Sequence, residues 1–210
     1  MTIVALELST GRGSVAWDGF PCPGGTGSHS FRNDRKHSGL FFEHLEECLE
    51  GRGAPERIVV GLGPGSYAGT RIAAATALGL RAACGAKLVG IPSLCALDTT
   101  VGDYLAIGDA RRDTFFCARV MDGRCVEGPA LFGEQELRAH IAASRRPLYS
   151  STPLEQFPEA LVAYPCARRL TLLANQHPSV YIVTKHLEPI YLRDPHITIP
   201  RPAMRLSPGK

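Results

Sequence analysis

The alternation of apolar and polar positions divides the chain into a series of short elements. The opening IVALEL (3–8) is a continuous apolar run, STGRG supplies turn residues and SVAW (14–17) follows, which together predict a β-hairpin. A Gly/Pro-rich excursion, DGFPCPGGTG, leads to a third strand near residues 28–31. The period then becomes helical. In HSGLFFEHLEECLEG, Leu40, Phe41, His44, Leu45, Cys48 and Leu49 share an apolar side, while Glu43, Glu46, Glu47 and Glu50 share a wet one, predicting a helix over 38–50 with Gly51 as its stop. Phe41 and Phe42 point about 100° apart on such a helix, so one can fill the core while the other faces outward.

A buried strand, RIVVGL (57–62), precedes an alanine-rich helix over 66–83, the strand KLVGI (87–91) and a short helix near SLCALDTT. The order βββαβα, with a further strand and closing helix, favours a sheet that starts antiparallel and continues parallel, covered by helices. From Asp103 the pattern begins again: YLAIGDA, TFFCARVM and CVEGPALF read as strands, the last two joined by DGR, and EQELRAHIAAS as a helix. The recurrence suggests a structurally duplicated protein, with units at 1–102 and 103–194. The tail 195–210 is proline-rich and expected to be extended or loose.

The stretch GLGPGSYAGTRIAAATALGL invites a catalytic or phosphate-binding reading, and three such readings fail. A Walker A loop needs GxxxxGK[ST], and no lysine follows Gly69. The dinucleotide fingerprint GxGxxG fails on spacing, since Gly63 and Gly65 are followed by Gly69. A nucleophile elbow, GxSxG, fails because Ser66 directly follows Gly65. A conformational role remains: Gly63, Pro64 and Gly65 make a sharp turn, and Ser66 satisfies the first free amides of the helix. Gly69, Ala73 and Ala77 lie at i, i+4 and i+8, leaving one helix face almost without relief. That face suits close internal packing, the simpler reading, or a partner's helix.

Composition narrows the classes. Over 210 residues, 44% are apolar and 20% charged, a globular balance. The longest apolar stretch is interrupted by Arg71 and Arg81, so no membrane span is expected, and the opening lacks the basic region of a secretion signal. A cytoplasmic protein is expected. Seven cysteines without a CxxC pair argue against a disulfide framework or zinc ribbon and read as small buried hydrophobes. The net charge of +3 is not concentrated as in a nucleic-acid binder acting alone. The seven histidines show no HxxxH or HExxH spacing; His37 and His44 are two turns apart, and packing or capping is their simpler role. No metal ligand, cofactor or catalytic residue is assigned.

Six segments in series resemble the bacterial TsaB (YeaZ) family. GLGPGSYAGTRIAAATALGL is similar to its signature GPGSFTGLRIGLATAKGLA, and IVALELSTGRGSVAW to its LALDTST…SVAL opening. RKHSGLFFEHLEECL, LVGIPSLCAL, GDARRDTFFCARV and EPIYLRDP resemble the family's RxHSExLLPxI helix, LxGVSSLEAL element, DARRGEVYxA strand and PxYLR ending, over roughly residues 2–195.

The resemblance implies the duplicated actin/Hsp70-like fold (ASKHA, RNase H-like): α/β, with two mixed sheets and covering helices. It also implies a non-catalytic paralogue of TsaD, the subunit that attaches threonylcarbamoyl to adenosine 37 of tRNAs reading codons that begin with A. The implied partners are a TsaD-type subunit through a helical bundle, a TsaE-type ATPase and tRNA through the complex, and a second copy of the chain when TsaD is absent. On matching positions, the interface would use Phe41, Phe42, Leu45, Tyr67, Gly69, Ala73 and Ala77. Two departures stand out: Glu7 replaces the family's first-strand aspartate and is expected to be a buried carboxylate bonded to hairpin amides, and Thr114 stands where members carry glutamate. The competing readings are a glycoprotease-like hydrolase using Ser66 and a nucleotide-binding protein of the actin-like fold. For the latter, STGRGS could pass for one phosphate hairpin, but GDARRD lacks the paired glycines.

Overall fold

A computed structural model describes residues 1–22, 24–34, 39–177 and 187–193. His37 and the tail 195–210 lie outside the described residues. Strands β1 (Ile3–Glu7), β2 (Arg12–Asp18) and β3 (Gly27–Arg32) form an antiparallel meander. Strands β4 (Arg57–Gly61) and β5 (Lys87–Ile91) continue the sheet parallel to β1, giving the order β3-β2-β1-β4-β5. The second sheet repeats this plan: β6 (Asp103–Asp109), β7 (Thr114–Met121) and β8 (Arg124–Gly133) form the meander. Strands β9 (Leu148–Ser150) and β10 (Leu161–Val162) extend it in parallel on the other side of β6. The duplication suggested by the βββα recurrence is therefore present as two mixed sheets of matching topology with flanking helices.

The sequence pattern explains which strands are central. Every residue of β1 is buried, as an uninterrupted apolar run requires when both faces of a strand are covered. Strand β8, at the edge, is exposed along most of its length. Helices α1 (Leu40–Leu49) and α2 (Tyr67–Cys84) cover one face of the first sheet, where Phe41, Leu45, Cys48, Ala73, Ala74 and Ala77 join Val4, Leu6, Val15, Ile58 and Val60 in one core cluster. Helix α2 ends on Gly85, which takes the left-handed conformation (φ 73°) common after a helix.

Helix α3 (Glu134–Ser144) packs on β7 and β8, where Leu137 joins Leu105, Ile107 and Phe157. The helix expected near 93–100 is a single 3₁₀ turn, Ser93–Ala96. Sequence periodicity missed β9, β10 and helix α4 (Ala167–Gln176). Helix α4 packs against β1, β2 and β4, and Leu170, Leu173 and Ala174 join one cluster with Ile3, Ala5 and Val59 of the first sheet and Tyr104, Ala106 and Phe116 of the second. The amide of Ala167 donates to the buried Ser14 Oγ at 2.8 Å, fixing the start of α4 to β2.

Because one apolar cluster spans both sheets, truncating Leu170 weakens both. Leu170→Ala is expected to cost about 2–5 kcal/mol, with a single unfolding transition. Denaturant titration followed in parallel by circular dichroism and by Trp17 fluorescence checks it, and separated midpoints would contradict the shared core.

Candidate functional site

The segment from Gly61 to Ser66 leaves β4, turns and starts α2 beside the exit of β1. Gly63 has a positive φ (85°), which a residue with a side chain adopts only under strain. Ser66 caps α2: its Oγ accepts from the Gly69 amide at 3.1 Å. Gly65 and Gly69 answer a lack of space, since an added Cβ would lie 2.1 Å from the Ser9 carbonyl oxygen and 2.0 Å from that of Leu8. The Ser66 amide donates to the Ser9 carbonyl at 2.6 Å. At the start of α2 the Gly69 amide is thus taken up by the Ser66 cap and the Ser66 amide by the Ser9 carbonyl, with the Leu8 and Ser9 carbonyls packed close against the glycines.

Glu7 lies beneath this turn, fully buried at the end of β1. Its Oε1 accepts from the Ser9 amide at 2.7 Å, as expected of a carboxylate held by the hairpin, while Oε2 has no hydrogen-bond partner. A Cβ on Gly61 would sit 1.8 Å from Oε2, so the glycine makes room for the carboxyl group. Burial raises the Glu7 pKa, against lowering contributions from the Ser9 side chain and amide and the Ser93 hydroxyl. Ser93 Oγ also accepts from the Gly63 amide at 2.9 Å, tying the 3₁₀ turn to the glycine turn.

Above Glu7, between the exits of β1 and β4 and the β6–β7 turn, lies a cleft of about 1300 Å³. It is lined by Ser9, Thr10, Asn33, Ser66, Tyr67, Asp109, Arg111, Arg112, Thr152, Tyr191 and Arg193. Asn33 Nδ2 donates to the carbonyls of Leu8 (3.0 Å) and Thr10 (2.7 Å), pinning the hairpin on one wall. On the opposite wall Thr114 Oγ1 donates to the Arg111 carbonyl at 2.8 Å and accepts from Arg193 Nη2. The Thr114 departure thus joins the β6–β7 turn to the chain's YLR segment. Among the described residues, no hydrogen bond links Ser66 to a histidine or carboxylate, the arrangement that activates a serine nucleophile.

Five of the seven residues expected at a partner interface are buried by the chain itself: Phe41, Leu45, Gly69, Ala73 and Ala77. The smooth helix face of Gly69, Ala73 and Ala77 meets the chain's own strands and hairpin. A helix without side-chain relief packs as closely on a sheet as on another helix, and here the sheet takes it. Phe42 and Tyr67 are exposed, at 54% and 48% of their surface, as are Ile72 (41%) and Leu78 (43%). Phe41 and Phe42 divide between core and solvent as their angular separation requires. Phe42, Leu45 and Leu49 line a groove of about 800 Å³ on the outer side of α1, edged by glutamates, and Tyr67 stacks on Tyr191 with centroids 5.3 Å apart. His44 lies against His29 and Glu47. His29 was missed, although the alternation in GSHSFR sets it on the same face of β3 as Phe31.

Comparison with known proteins gives a family model, TsaD, tRNA N6-adenosine threonylcarbamoyltransferase, that matches residues 33–128. An uncharacterized protein of Mycobacterium leprae is 42% identical over 77 residues, 36% of this chain and 21% of that protein. An uncharacterized protein of Mycobacterium tuberculosis is 40% identical over 77 residues, 36% of each. These matches span about a fifth to a third of the relatives' own length. Two solved structures from Pseudomonas aeruginosa share the fold over 91% of this chain and 99% of theirs. One, described as an uncharacterized protein with similarity to peptidase YeaZ, has a TM-score of 0.73 at 24% identity. The other, YeaZ itself, has a TM-score of 0.68 at 22% identity. The chain is thus similar to the TsaD family over residues 33–128 and shares the fold of the two Pseudomonas aeruginosa structures over most of its length. Among the described residues no helix is long and apolar enough to cross a membrane.

A raised carboxyl pKa means that the folded state holds its proton to higher pH than the unfolded chain does. The stability linked to Glu7 is therefore full below its ordinary value of 4.5 and declines as pH rises toward the folded value. Glu7→Gln, which keeps the shape and removes the charge, is expected to gain in Tm over the parent chain progressively above pH 4.5, read by thermal melts across a pH series. For the buried stripe, Ala73→Arg places an unpaired charge against the first sheet and is expected to cost about 3–5 kcal/mol or to prevent folding, read by denaturant titration. A variant as stable as the parent would show that face to be open.

Proposed function

We propose that this chain is the non-catalytic partner of a TsaD-type threonylcarbamoyltransferase and that it pairs through the outer side of α1 and α2. The observation that carries the reading is the set of large apolar side chains left in solvent on that side: Phe42 on α1, Tyr67, Ile72 and Leu78 on α2, and Tyr191 beside them. Both helices cover the same face of the first sheet, so these residues emerge from a single layer. Exposed apolar groups gathered on one side of a molecule are the usual mark of a protein partner. The family match over residues 33–128 includes both helices, which supports placing the contact there.

In this reading the chain contributes no reacting group. Its cleft offers a capped helix, a serine used as that cap and a carboxyl buried below the surface. The TsaD-type subunit supplies catalysis, a TsaE-type ATPase and the tRNA engage the assembled complex, and the assembly works in the cytoplasm. Without its partner, the chain covers the same side with a second copy, so the homodimer and the heterodimer exclude each other.

Phe42→Glu changes an exposed position and spares the core filled by Phe41. It is expected to weaken heterodimer formation by about 2 kcal/mol, roughly thirtyfold in Kd, with no loss of thermal stability. Size-exclusion chromatography with light scattering, on the chain alone and mixed with the TsaD-type protein of the same organism, reads both assemblies. A homodimer that persists in the mixture, or a variant that binds as tightly as the parent, would overturn the proposal.

A further inference from the structure

We infer that His29, His44 and Glu47 form a site for one divalent transition-metal ion, with Zn²⁺ as its best-matched occupant. Independently of the proposed function, the inference rests on three side chains from two elements, His29 on β3 and His44 with Glu47 one turn apart on α1. The ligand atoms lie within 4.8 Å of one another. Glu47 Oε2 is 3.0 Å from His44 Nδ1 and 3.5 Å from His29 Nε2. Tetrahedral zinc, with bonds of about 2.0–2.2 Å to nitrogen and oxygen, separates its ligands by about 3.4 Å. Two edges of the ligand triangle, 3.0 and 3.5 Å, bracket that spacing, and the third is no longer than 4.8 Å.

The imidazoles are held in place by their neighbours. His29 packs on Trp17 with ring centroids 5.1 Å apart, His44 stacks on Phe31 at 5.2 Å, and the two imidazoles lie 5.0 Å apart with planes 18° from parallel. Rings fixed in this way lose little freedom when a metal binds. Surrounding charge also favours a cation: α1 carries Glu43, Glu46 and Glu47, followed by Glu50. Among the described residues, Arg52 on the loop after α1 is engaged over the Trp17 ring at 4.4 Å and by the carbonyls of Glu47 and Cys48. Glu47 is exposed, which leaves the open side of the triangle to water as the fourth ligand. Two imidazoles and one carboxylate suit zinc or its first-row neighbours and not magnesium or calcium, which take oxygen ligands.

The test is titration of the purified full chain with ZnCl₂ in a calorimeter, and with CoCl₂ by visible absorption, for the parent chain, His29→Ala, His44→Ala and Glu47→Gln. The expected result is one zinc equivalent per chain, d–d absorption of four-coordinate cobalt, and a loss of at least about tenfold in affinity in each variant. Thermal melts without metal identify any variant that fails to fold; Glu47→Gln, at an exposed helical position, keeps the test valid if a histidine variant does. Absence of a stoichiometric zinc equivalent would overturn the inference and leave a histidine–glutamate ion pair only. Binding that survives all three substitutions, or thiolate-to-cobalt absorption placing the metal on cysteine, would overturn it too.

Discussion

No Cβ atom fits between the exit of β1 and the first turn of α2, and much of the molecule's arrangement depends on that contact. Gly61 clears the Glu7 carboxyl group, Gly65 clears the Ser9 carbonyl and Gly69 clears the Leu8 carbonyl. With the helix drawn that close, Ala73 and Ala77 continue the same approach one and two turns later and meet the sheet directly. The hydrogen bond that the Ser66 amide donates to the Ser9 carbonyl then settles the hairpin against the helix cap. A serine and glycine stretch that looks like phosphate-binding or nucleophile machinery in one dimension is, in three, a seam between two backbone segments.

Glu7 shows how such a seam constrains chemistry. Its carboxyl group fills a space bounded by Gly61 and Ser93 and has one oxygen without a partner. A shorter side chain at this position would withdraw from the Ser9 amide, and a longer one would not fit under the turn. The group's energetic influence is exerted on the connection between the first sheet and the 3₁₀ turn at Ser93, while the cleft above is walled by hydroxyls, amides and arginines.

Much of the architecture was legible because burial on two faces and on one face leave different marks. The apolar runs of β1 and β4, the helical period of α1 and the repeated meander all follow from the sequence, as does the outward turn of Phe42. Helix α4 was overlooked although Ala167, Leu170, Leu173 and Ala174 recur at helical spacing over ten residues, the same length as α1. Strands of two and three residues, as in β10 and β9, carry too few positions for any period to show. The stripe of Gly69, Ala73 and Ala77 was ambiguous for a different reason. Small residues report that something comes close, not whether it is a sheet of the same chain or a helix of another. His29 escaped notice because its neighbours in space are supplied by a helix eleven or more residues downstream, a pairing that spacing alone does not reveal.

Helix α4, which lies on β1, β2 and β4, bears on how the protein is made. Its sequence follows that of every described strand in both sheets, so the inner face of the first sheet, with Ile3, Ala5 and Val59, lacks this cover until residues 167–176 have been made. Domains that fold as they emerge complete themselves from the N-terminus onward. Here the first-made sheet instead waits for a helix encoded after every described strand, and until residues 167–176 have emerged general chaperones find an apolar sheet face to hold.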